Sequence, residues 1–107
     1  MKRTTVELPI RPDQIDAVLQ TVAAKLTPLG FQEKLLDGEQ VWSKGDGVVV
    51  VIQCVSVGFT GTSVILQAWI RDALTGESNL EGFVAALPKR KMKRVLDELC
   101  AQIRQLP

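Results

Sequence analysis

Five consecutive β-branched residues, Val48 to Ile52, continue through Val55 and Val57, and a second β-rich segment runs from Val64 to Ile70. A strand with one wet face alternates apolar and polar residues, so a run this uniform predicts a strand covered on both faces. Alternation divides the long strand into Val48, Val50, Ile52, Cys54 and Ser56 against Val49, Val51, Gln53, Val55 and Val57. Its neighbour divides into Val64, Leu66, Ala68 and Ile70 against Ile65, Gln67, Trp69 and Arg71. The sets holding Gln53, Gln67 and Arg71 are the more polar, which assigns them to the face away from any covering helices.

Two segments supply such helices. Pro12 suits a first helical turn, where its missing N–H has no partner to lose, and Asp13 and Asp16 suit the positive end of the helix dipole. Ile15, Val18, Leu19, Val22, Ala23 and Leu26 then recur at spacings of three and four, giving one apolar stripe over a helix spanning 12–27. Thr27-Pro28 and Gly30 end it. The second helix, 88–105, carries Met92, Val95, Leu96, Leu99, Cys100 and Ile103 on a matching stripe. Between 78 and 87, Ser78 and Glu81 have the spacing of a capping box, which predicts a short helix ending before Pro88.

Around these helices, Thr4 to Ile10 alternate as a half-buried strand, Asp37-Gly38 marks a hairpin, and Gly45-Asp46-Gly47 and Gly58-Phe59-Thr60-Gly61 mark two further turns. The expected fold is α+β, in the order β-α-β-β-β-β-α. A four- or five-stranded, mainly antiparallel sheet packs both main helices on one face. At 107 residues the chain is read as a single domain, 1–107. Two helices cover only one side of such a sheet, so Val49, Val51, Val55, Ile65 and Trp69 are expected to form an apolar patch on the other, on the order of several hundred Å². The loop from Leu74 to Leu87 is the alternative cover.

Absent residue types narrow the chemistry. Without histidine or tyrosine the chain lacks the usual general base near neutral pH and the commonest zinc and iron ligand, so no metal, cofactor or catalytic constellation is expected. Cys54 and Cys100 read as inert core thiols. No apolar stretch reaches the ~20 residues of a membrane span, and the basic start Met1-Lys2-Arg3 leads into Thr4-Thr5-Val6-Glu7 rather than an apolar leader, so a cytoplasmic location is expected. The function expected from the apolar patch is binding: a homo-oligomer, a protein partner or a small apolar ligand.

Nucleic acid is the alternative partner. Lys89, Arg90, Lys91, Lys93 and Arg94 concentrate five cations in six positions, leaving the rest of the chain with eight basic against twelve acidic residues. The positive charge is therefore local, an electrostatic footprint suited to phosphates. Spacings of four also allow Lys93 to pair with Asp97 and Arg94 with Glu98. With helix 12–27, antiparallel strands and a last helix opening on Lys89-Arg90-Lys91-Met92-Lys93-Arg94, the chain resembles the double-stranded-RNA-binding domain over roughly residues 12–105. The resemblance implies a lysine cluster facing phosphates across the major groove. The added first strand, the extra hairpin strand, the insertion before the last helix and the missing histidine depart from that pattern.

Overall fold

Alternation in β1 (Thr4–Pro9) turns Val6 and Leu8 inwards while Thr5, Glu7 and Pro9 stay in solvent. The strand runs antiparallel to β5 (Ser63–Asp72), with Thr4 opposite Ala68 and Leu8 opposite Val64. The computed structural model describes residues 3–45, 52–72, 76–80 and 86–107. Pro12–Gln14 form one 3-10 turn, in which the Arg11 backbone N–H donates to Gln14 Oε1 at 2.8 Å. α1 (Ile15–Leu26) follows from it.

α1 buries Val18, Val22 and Leu26, a narrower stripe than the spacing implies. Leu19 lies on its flank, 45% exposed. Leu19→Lys is therefore expected to change stability by no more than about 0.5 kcal/mol, whereas Val22→Lys places an unpaired ammonium in the core and unfolds the protein. Thermal melts of the two variants check this; a large loss for Leu19→Lys would mean a different rotation of α1. The helix ends as expected on Gly30, at φ 95°, with the Phe31 N–H donating to the Leu26 carbonyl at 3.1 Å.

Asp37 and Gly38 both take positive φ, 51° and 82°, the geometry a two-residue hairpin demands between β2 (Gln32–Leu36) and β3 (Glu39–Lys44). β4 (Ile52–Phe59) and β5 pair antiparallel across the Thr60–Thr62 turn, where the Thr60 N–H donates to the Ser63 carbonyl. The expected start of the long strand, Val48 to Val51, lies outside the described residues. The sheet order is β1-β5-β4-β3-β2, and a short β6 (Gly76–Ser78) pairs with Ile70–Asp72 of β5.

Three sequence expectations need correction. Ser78 closes β6, and Asn79 and Leu80 after it are not helical, while the rest of the expected short helix, 81–85 with Glu81, lies outside the described residues. α2 (Ala86–Arg104) contains Pro88 instead of starting at it. The third concerns β4. Val55 stands opposite Ala68 and Cys54 opposite Trp69, so Val55, Val57 and Phe59 join the helix-side core and Cys54 shares the outer face with Trp69. Directly opposed residues share a face, and a one-residue slip reverses the assignment.

Both helices pack on one face of the sheet. Val18, Val22 and Leu26 of α1 and Met92, Leu96, Leu99 and Ile103 of α2 cover Val55, Val64, Leu66, Ala68 and Ile70. Among the described residues no helix is long and apolar enough to cross a membrane.

Candidate anion-binding groove

The expected apolar patch does not assemble as such among the described residues. Trp69, only 2% exposed, forms an outer-face cluster with Val41 and Cys54, flanked by Leu36 and Ile52. The Arg3 guanidinium lies 3.7 Å above the indole ring. Its N–H groups donate to both oxygens of Glu39 (2.8 and 2.9 Å), both oxygens of Glu77 (3.0 and 2.8 Å) and Gln67 Oε1 (3.2 Å). These bonds, to Glu77 first and then Glu39, raise the Arg3 pKa further above its ordinary value. Ile65 is half-buried, Val55 belongs to the opposite face, and Val49 and Val51 lie outside the described residues. Of the loop expected to cover the patch, Glu77 joins this seal from β6, while Leu80 enters the helix-side core.

The thiols offer no reactive site. Burial pushes the Cys54 thiol up to about 11, although the nearby Arg71 charge acts in the opposite direction, and burial also raises Cys100. Neither forms an appreciable thiolate near neutral pH. No group of three or more metal-ligating side chains occurs among the described residues.

The basic run resolves into two populations. Lys89 is 4% exposed and continues the inward stripe of Met92, Leu96, Leu99 and Ile103, so it leaves the expected anion-binding set. Helical spacing explains this, because positions 89, 92, 96, 99 and 103 share one side of α2. Arg90, Lys91, Lys93 and Arg94 remain exposed.

Lys91 and Arg94 border a depression of about 520 Å³ between α1, the sheet and α2, lined also by Lys25, Leu29, Phe31, Lys44, Gln53, Val95 and Glu98. Three elements thus bring four cations to one concavity against a single carboxylate. Glu98, which the sequence pairs with Arg94, instead bonds to Lys25 across the α1–α2 contact. Among the described residues Lys44, Lys91 and Arg94 enter no ion pair. A shallower depression on the solvent side of α2 shares Arg94 and Glu98 and adds Arg90, Lys93, Asp97 and Ala101, so three cations and two carboxylates line it.

Lys44 owes its position to the turn after α1. A Cβ on Gly30 would lie 3.6 Å from Lys44 Cε, so the lysine stem rests on that glycine and its ammonium reaches 5.9 Å from the Phe31 ring. Sequence reasoning missed Lys25 and Lys44 because each is a lone cation in its own element; only the fold brings them beside Lys91. The described lining holds four cations, one carboxylate engaged by Lys25, a carboxamide and apolar walls, an arrangement suited to retaining negative charge. Comparison with protein-family models, with curated proteins and with solved structures gives no match for this chain.

Proposed function

We propose that this chain is a nucleic-acid-binding module of the cytoplasm that holds the phosphate backbone along the groove and the adjoining face of α2. The convergence of Lys44, Lys91 and Arg94, without ion-pair partners among the described residues, carries the reading. Like charges held together around a depression repel one another, and a polyanion relieves that repulsion while releasing its own counterions.

The test is anisotropy of fluorescent RNA and DNA oligonucleotides across a salt series. Retention at about 20 mM salt is expected, with affinity falling on a log–log slope between about −2 and −5, as three to five neutralised phosphates require. No retention at low salt, or retention indifferent to salt, rejects the proposal.

A second reading is association through the outer sheet face, with a second copy, a protein partner or a small apolar ligand. The half-buried Leu36, Ile52 and Ile65 around the Arg3 seal favour it. Apolar association survives salt, so a solution mass above the monomer at about 0.5 M salt supports this reading and a strictly monomeric mass argues against self-association.

A further inference from the structure

We infer that the groove receives an unstacked base, so that the protein prefers single-stranded nucleic acid to a duplex; this rests on the nucleic-acid reading above. A surface that only grips the outside of a duplex needs cations on a flat or convex face, because the bases remain stacked inside. Here the cations surround a cavity. Its volume, about 520 Å³, falls among those of pockets that enclose small molecules, and its walls include the apolar Leu29 and Val95. Leu29 stands out because it is 37% exposed on the turn that closes α1, one of the few large apolar side chains so placed among the described residues. Phe31 is 3% exposed and serves as floor, not as a stacking platform.

Gln53 adds a polar group suited to a base edge. It lies opposite Lys44 in the β3–β4 ladder, lines the groove, and is only partly buried. Its carboxamide has no hydrogen-bond partner among the described residues. A carboxamide offers donor and acceptor together, the pair that the exposed edge of an unpaired base presents in complement. Lys44 and Lys91, bordering the same depression, are then placed to meet the phosphates on either side. Apolar wall, carboxamide and flanking cations together form a nucleotide-sized site that a paired base cannot enter.

The experiment compares an unstructured single-stranded RNA of about twenty nucleotides with its own duplex, for wild type and for Leu29→Ser, at one salt concentration low enough to retain both. The expected result is at least about tenfold tighter binding of the single strand by wild type, reduced about tenfold by Leu29→Ser, with duplex affinity unchanged. Melting curves establish that the variant is folded, and Leu29→Met, which keeps an apolar side chain, is expected to retain the preference. Equal affinity for both forms, or a Leu29→Ser effect that falls on both alike, overturns the inference while leaving phosphate binding in place. Failure to retain either form overturns the nucleic-acid reading itself, and this inference with it.

Discussion

Replacing Arg3 with alanine is expected to lower the melting temperature by about 10 °C and to shift Trp69 emission to the red. The guanidinium lies over the indole and uses its donors on Glu39, Glu77 and Gln67. A partly desolvated cation–π contact contributes about 1–2 kcal/mol. The ion pairs add less than buried ones do, because the Glu39 side chain is 41% exposed and Glu77 30%. A total near 2 kcal/mol, at roughly 4–8 °C per kcal/mol for a domain of this size, gives the predicted shift. Trp42 contributes to the same fluorescence, so the measurement belongs in a Trp42→Phe background. Arg3→Lys is expected to recover less than half of the loss, because an ammonium cannot satisfy two carboxylates with parallel bonds. Replacing both carboxylates by glutamine in the alanine variant should recover part of it, since the two acids are then no longer left facing each other. An alanine variant that melts with wild type would show that the outer cluster is sealed by something other than this side chain.

That seal shows which parts of the fold are legible in one dimension. β1, the end of α1 at Gly30 and the Asp37-Gly38 hairpin are local, and each follows from a few neighbouring residues whose φ values or alternation have no alternative. The face of β4 is not local. A run of valines reads the same from either side, so the assignment of Val55 depends on its register against Ala68, which only the completed hairpin fixes. Arg3 is harder still, because its partners lie 36, 64 and 74 residues away and nothing adjacent marks it. Lys89 misleads for the opposite reason: a dense basic run suggests solvent throughout, yet helical periodicity turns one member inwards. The groove combines both difficulties. Its α2 cations are conspicuous, while Lys25, Lys44 and Gln53 acquire meaning only beside them.

Reversing two groove charges, in the double variant Lys91→Glu with Arg94→Glu, is expected to weaken nucleic-acid binding by about 100-fold or more at low salt and to flatten the salt slope by about two units. Each substitution removes one phosphate contact and replaces it with repulsion. Both side chains are exposed and outside the core, so the fold should be unaffected. Long-range attraction also depends on net charge, and the double variant changes that as well. The control is therefore Lys34→Glu with Arg104→Glu, which changes the net charge equally at two exposed positions outside the groove lining. Binding by the control is expected to stay within about threefold of wild type. Lys89→Ala separates the remaining possibility: this lysine is buried and engaged within the fold, so its loss should lower the melting temperature and leave the salt slope intact. Equal weakening by the groove pair and the control would assign the attraction to the overall field of the protein. Loss confined to the groove pair assigns it to the concavity that α1, the sheet and α2 build together.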